Sequence, residues 1–271
     1  MNNKNLSGND SIPQSLIDPR AAIHPSAKIA GGVTIGPFSL IGENVEIGSG
    51  TWVGPHAVIR GRTKIGAHNK IYQFASVGED PQDKKYQGED TWLEIGDYNV
   101  IRECCTINRG TAQDKGITKI GDHNLLMAYV HIAHDCTIGN QTIFANNATL
   151  AGHVTVDDYV ILGGFSAIYQ FCHLGIHSFI ASGALVEKDV LPFTRVSGAF
   201  AKPFGLNVEG LKRRGFSPAF RSYLKQAYRI AYRQGYTAEE AVTHLEPLVA
   251  ECPEIQFFID ILKTAKHGIC R

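Results

Sequence analysis

No stretch of the 271-residue chain approaches the ~18–20 consecutive apolar residues that a membrane-spanning helix needs. Neither sign of charge dominates. Lys+Arg and Asp+Glu both number 26, so the formal net charge is zero. That removes the one-signed field expected of a nucleic-acid binder or a polybasic membrane-surface protein. Charge is also sparse, at 19% against 44% apolar residues, a balance that excludes disorder. The first twenty residues contain no apolar stretch and read as a polar tail rather than a secretory signal. The six cysteines (Cys104, Cys105, Cys136, Cys172, Cys252, Cys270) form no Cys-x-x-Cys pair and no regular framework. They read as reduced thiols of a cytoplasmic protein. Glycine, by contrast, is plentiful at 28 residues, above the usual ~7% but without the triplet period of collagen.

The glycines follow a repeat. From Ile23 an aliphatic residue stands at 23, 29, 35, 41, 47, 53, 59, 65, 71 and 77, a beat of six. The beat returns at Ile95, Ile101 and Ile107, and again from Ile120 through Leu126, Ile132 and onward to Val186. Six residues fit a short strand plus a corner, with one large side chain inward per repeat. The residue two places earlier is small or β-branched (Val33, Ser39, Val45, Thr51, Ala57, Thr63), as a second inward position requires. Glycine just after the beat (Gly36, Gly42, Gly48, Gly54, Gly66) predicts corners that need positive φ or close backbone approach. Three repeats make one triangular coil of 18 residues, and coils stack about 4.8 Å apart. The chain therefore reads as an all-β left-handed parallel β-helix, the hexapeptide-repeat prism, followed by a small C-terminal α-helical domain. Residues 1–20 are the tail, 21–195 the β-helix, and 196–271 a linker and three helices. Ser217-Pro218, the capping box from Thr237 to Glu240, and Pro253 open those helices. Two polar interruptions, 78–94 and 108–119, carry no beat and must loop out, as functional excursions from a solenoid do.

Stacking at intervals of 18 places residues of distant sequence on one corner. The run His-Ile-Ala-His-Asp-Cys sets His131 one place before the inward Ile132 and His134 two places after it. Eighteen residues beyond His134 and Asp135 stand Gly152 and His153. A histidine, a carboxylate and a bare backbone N–H on one corner suit general-base acyl transfer with an oxyanion contact. His131, His134 and His153 also leave a zinc site open at this stage.

The stretches IYQFASVGEDPQDKKYQGE, LLMAYVHIAHDCTIGNQTIFANNATLAGHV and PFGLNVEGLKRRGFS resemble the UDP-N-acetylglucosamine O-acyltransferase family, which opens lipid A synthesis in Gram-negative bacteria. The resemblance runs from about residue 20 to the C-terminus. It implies transfer of a 3-hydroxyacyl group from acyl carrier protein to the glucosamine 3-OH, without cofactor or metal, by a homotrimer with active sites between subunits. On that reading His134 is the general base, Asp135 orients it, and the Gly152 N–H faces the oxyanion. Asp83 and Lys85 hold the nucleotide sugar, and His131, His153 and Gln170 line the sugar and acyl pocket. Asn207, Glu209 and Arg213 reach the nucleotide end, while Phe179 and Ser182 mark the end of the acyl groove. Two positions depart from the family pattern. Tyr169 replaces a histidine, and Ser182 replaces the glycine that admits longer chains, which predicts a moderately shortened acyl group.

Arg221, Lys225, Arg229 and Arg233 recur every four residues on the first long C-terminal helix, preceded by Lys212, Arg213 and Arg214. Such a stripe, with Arg214, Arg221, Lys225 and Arg229 as its docking cations, suits an acidic carrier protein. Two other classes compete: an N-acyl or acetyl-CoA transferase on another sugar, and a zinc-dependent, carbonic-anhydrase-like prism.

Overall fold

Burying one large side chain every six residues forces the chain to turn a corner after each two-residue strand. In the computed structural model, which describes residues 15–271, those strands distribute over three sheets of 11, 9 and 8 strands. Thr34–Ile35 lies in the first sheet, Leu40–Ile41 in the second and Glu46–Ile47 in the third, and the cycle then repeats. Partners are parallel and usually 18 apart, as in Thr34 with Trp52 and His131 with Thr149. The molecule is a left-handed parallel β-helix with C-terminal helices. The beat residues fill its interior, and the expected second inward column (Val33, Ser39, Val45, Thr51, Ala57, Thr63) is buried with them. Three buried asparagines of this core are hydrogen-bonded in series. The Asn99 N–H donates to Asn69 Oδ1 at 2.8 Å, and the Asn124 N–H to Asn99 Oδ1 at 2.9 Å.

The corners divide the glycine expectation. Close approach holds: a Cβ on Gly36 would lie 2.7 Å from the Pro55 nitrogen. Positive φ does not fall there. It falls two residues later, and among the described residues 18 such positions are not glycine, with φ from 54° to 65°. A left-handed residue with a Cβ costs roughly 1–2 kcal/mol. Coil-to-coil stacking offsets much of this, at about 0.5–1.5 kcal/mol per aromatic pair. His56 stacks on Phe38 at 5.2 Å and on Phe74 at 5.4 Å, and Tyr98 lies between His68 and His123, 4.9 Å from each.

Two boundaries differ from expectation. The first described strand is Leu16–Ile17, paired with Thr34–Ile35, so the prism starts inside the segment read as tail. Ile17 keeps the beat, six residues before Ile23. The other tail residues, 1–14, lie outside the described residues. At the far end the strands Thr194–Ser197 and Lys202–Leu206 form an antiparallel pair. Four α-helices follow rather than three: α1 (Val208–Arg213), α2 (Pro218–Arg233), α3 (Ala238–Leu245) and α4 (Gln256–Thr264). α1 was missed because it is one and a half turns long and buries only Leu211. The expected starts hold for α2 and α3, where Ser217 Oγ accepts from the Phe220 N–H and Thr237 and Glu240 cap reciprocally. Pro253 opens a 3₁₀ turn, Pro253–Ile255, ahead of α4. A second apolar cluster joins α2, α3 and α4 to Leu191 and Phe193 at the end of the prism.

Candidate active site

Both polar excursions leave the second sheet and return to the third, after Glu79 and after Asn108. His134 and Asp135 occupy the same edge one coil further on, Gly152 and His153 the next, and Gln170 and Phe171 the next again. The edge therefore carries the expected imidazoles and both loops in consecutive coils.

Asp135 is fully buried and in the left-handed conformation. Its carboxylate accepts from Thr111 Oγ1 at 2.6 Å, from the Thr111 N–H at 3.0 and 3.1 Å, and from His134 Nδ1 at 2.9 Å. Burial alone would raise its pKa, but the His134 and Thr111 hydrogen bonds outweigh that and hold it below the ordinary carboxylate value. An ionised carboxylate only accepts, so the His134 proton sits on Nδ1 and Nε2 is left with its lone pair. That is the arrangement of a base aimed away from its carboxylate.

Gly152 lies one coil above that ring. A Cβ there would stand 2.6 Å from His134 Cε1 and 2.9 Å from Nε2, so only glycine leaves the ring in place. Its N–H belongs to a position the ladder does not need. Proline occupies the equivalent place, two after the beat, at Pro25, Pro37 and Pro55, and proline has no N–H to give. Gly152 can therefore direct its N–H outward beside the imidazole.

His131 Nδ1 bonds Thr106 Oγ1 at 2.7 Å. Burial, and then its neighbour His134, lower the His131 pKa, favouring the neutral ring. His153 Nδ1 meets Asp114 Oδ2 at 2.7 Å, its ring stacks on Phe171 at 4.4 Å, and it stands edge-on to His134 at 5.0 Å. One ligand atom each from His134, Asp135 and His153 lie within 4.8 Å of one another, close enough for a metal. Both Nδ1 atoms are already engaged by carboxylates. All six cysteines are free, and burial pushes Cys105, Cys136 and Cys172 up to about 12, which removes them as nucleophiles.

Other expected residues fall elsewhere. Asp83 and Lys85 sit in the first excursion, where Asp83 accepts from the Lys85 N–H at 3.0 Å. That loop is clamped by the buried Arg109, which donates to Gly78 O at 2.6 Å, to Tyr86 Oη at 2.9 Å and to the Asp80 carboxylate. Gln170 and Tyr169 are exposed on the same edge as His134. Phe179 belongs to the first sheet and, with Asn207, Glu209 and Arg213, lines a cavity of about 430 Å³ beside α1. Asn207 caps α1 and donates to His177 O at 3.1 Å. Ser182 lies exposed at the corner between first and second sheets. One chain thus gathers the imidazoles on one edge and the Phe179–Arg213 group on another face. Among the docking cations, Lys225 and Arg229 are exposed and line a cavity of about 560 Å³ with His244. Arg221 is half-buried, and the Arg214 guanidinium lies 4.1 Å over the Tyr159 ring.

Sequence reasoning missed Thr111, Asp114 and Arg109. The excursions were recognised, but contacts spanning 24 and 39 residues obey no repeat spacing.

A six-residue-repeat prism with a histidine–carboxylate pair and a bare glycine on one corner defines a hexapeptide-repeat transferase. Residues 44–79 and 117–152 match the bacterial transferase hexapeptide family, and 189–270 match domain 2 of UDP-N-acetylglucosamine O-acyltransferase. The acyl-[acyl-carrier-protein]–UDP-N-acetylglucosamine O-acyltransferase of Thiobacillus denitrificans is 60% identical over 257 residues, which is 95% of this chain and all of that protein. The structure of the Moraxella catarrhalis UDP-N-acetylglucosamine O-acyltransferase superposes with a TM-score of 0.93 at 48% identity, covering 94% of this chain and 99% of that one. For the Francisella novicida UDP-N-acetylglucosamine acyltransferase the TM-score is 0.92 at 44% identity, covering 94% of each. The chain belongs to the UDP-N-acetylglucosamine O-acyltransferase family.

Proposed function

We propose that this protein moves a 3-hydroxyacyl group from acyl carrier protein to the glucosamine 3-OH of UDP-N-acetylglucosamine, the first step of lipid A synthesis, in the cytoplasm. The observation that carries the mechanism is the chain of contacts from Thr111 through Asp135 to His134, with Gly152 against the ring. His134 Nε2 takes the 3-OH proton as the oxygen attacks the thioester carbonyl. The Gly152 N–H faces the resulting oxyanion, the C–S bond breaks, and the proton passes from His134 to the departing thiolate. The products are the O-acylated nucleotide sugar and the carrier thiol.

Asp83 and Lys85 bind the sugar nucleotide, the lysine as a point charge against diphosphate. His131, His153 and Gln170 line the sugar and acyl pocket, and Asn207, Glu209 and Arg213 meet the nucleotide. Phe179 and Ser182 end the acyl groove. The separation of that group from the imidazoles within one chain supports a homotrimer in which neighbours complete each site. Exposed Lys225 and Arg229 are the core of the carrier-protein contact.

The test is turnover of UDP-N-acetylglucosamine with a ladder of 3-hydroxyacyl carrier proteins, with His134→Ala alongside. Wild type should use the carrier thioester, and His134→Ala should lose roughly 100-fold or more in kcat. The His134–Asp135–His153 cluster gives the zinc reading one specific foothold. Stoichiometric zinc required for turnover, or equal use of a coenzyme A thioester, would sink the proposal.

A further inference from the structure

The second excursion places no group against the substrate in the mechanism above, yet it holds the imidazoles of both His134 and His153. Thr111 reaches His134 through Asp135, and Asp114, three residues on, bonds His153 directly at 2.7 Å. His153 is already confined in orientation, stacked within 10° of the Phe171 plane and edge-on to His134. Those contacts set the ring's plane but not its tautomer. A neutral imidazole has one donor and one acceptor nitrogen, and a carboxylate only accepts. Asp114 is therefore compatible with a proton on Nδ1 and with a lone pair on Nε2.

We propose that Asp114 is a positioning residue of this site, holding His153 as the Nδ1–H tautomer so that Nε2 meets the substrate as a hydrogen-bond acceptor. The excursion then fixes both rings at once, through Asp135 for His134 and through Asp114 for His153. What His153 touches rests on the acyl-transfer reading; its tautomer does not. With the opposite tautomer, a donor would face the substrate in place of an acceptor, and one substrate hydrogen bond would be lost.

The test compares Asp114→Ala and Asp114→Asn in the full-length protein, with ¹⁵N-labelled histidines and steady-state kinetics. Asp114 lies outside the prism, and the His134 ring signal, held by Asp135, reports whether the edge stays intact. In Asp114→Ala, His153 should lose its Nδ1–H preference and kcat/KM should fall about tenfold. Asp114→Asn still offers an accepting oxygen but also a donating NH2, so it should keep the Nδ1–H form in part and lose less rate than Asp114→Ala. An unchanged His153 signal in Asp114→Ala, or equal damage from both substitutions, overturns the proposal. A wild-type protein that transfers no acyl group would sink the acyl-transfer reading alone, and the tautomer signal would still decide the role of Asp114.

Discussion

Gly152→Ala separates geometry from stability at the proposed oxyanion contact. The added methyl would lie 2.6 Å from His134 Cε1 and 3.2 Å from Nδ1, whereas carbon atoms in contact prefer about 3.5–4.0 Å. Something must therefore give by about 1 Å. The ring is tied to Asp135 at 2.9 Å, and Asp135 is fixed by three bonds from Thr111, so the shift is taken where His134 meets substrate. A displacement of that size costs about 100-fold in rate. Stability should change little. Gly152 is not among the positive-φ residues, so alanine adds no backbone strain and trims unfolded-chain entropy by about 0.4–1 kcal/mol. Overpacking at this buried position works against that by about 1 kcal/mol. Steady-state kinetics beside thermal unfolding should show kcat down about 100-fold with Tm within a few degrees. A variant within threefold of wild-type kcat would refute the argument that the methyl displaces the ring.

Thr111→Val removes the 2.6 Å bond to Asp135 and should lower stability at pH 7 by about 1–2 kcal/mol. The folded pKa of Asp135 is depressed, so the stability it contributes is present above the ordinary carboxylate value and lost as pH falls through the folded value. The valine penalty should therefore shrink as the pH falls below the ordinary carboxylate range, and a penalty that stays constant with pH in chemical denaturation would contradict this. Charge reversal, Lys225→Glu with Arg229→Glu, should raise KM for the carrier thioester several-fold and leave KM for UDP-N-acetylglucosamine nearly unchanged. Equal effects on both would remove the docking role.

The interior of the prism was legible because burial acts at a fixed interval. Ile35, Ile41 and Ile47, and the inward Val33, Ser39 and Val45, follow from the beat alone. The corner on which His134, Gly152 and His153 meet followed from the same 18-residue interval. The left-handed corner residues were not legible, since Phe74 or Tyr98 at positive φ depends on ring stacking between coils, against local preference. Thr111, Asp114 and Arg109 escaped because a polar loop carries no period. Their partners are set by how the loop folds back on its own edge. Ile17 shows the opposite lapse, a beat residue six places before Ile23 that was read with the polar tail around it.

The asparagine series inside the prism also measures its coils. Asn69 to Asn99 spans 30 residues, Asn99 to Asn124 spans 25, and Asn124 to Thr142 spans 18, although a backbone N–H closes every step at 2.8–2.9 Å. Added length is absorbed wholly at the edge between the second and third sheets, and the next coil resumes in register. At the other two edges the described beat residues keep their six-residue step, as from Ile95 to Ile101 to Ile107. The edge that takes up the length is thus the place where evolution, or an engineer, can splice a segment of arbitrary length without disturbing the scaffold. Reshaping what the protein accepts then becomes a matter of exchanging inserts while the spiral beneath stays as it is.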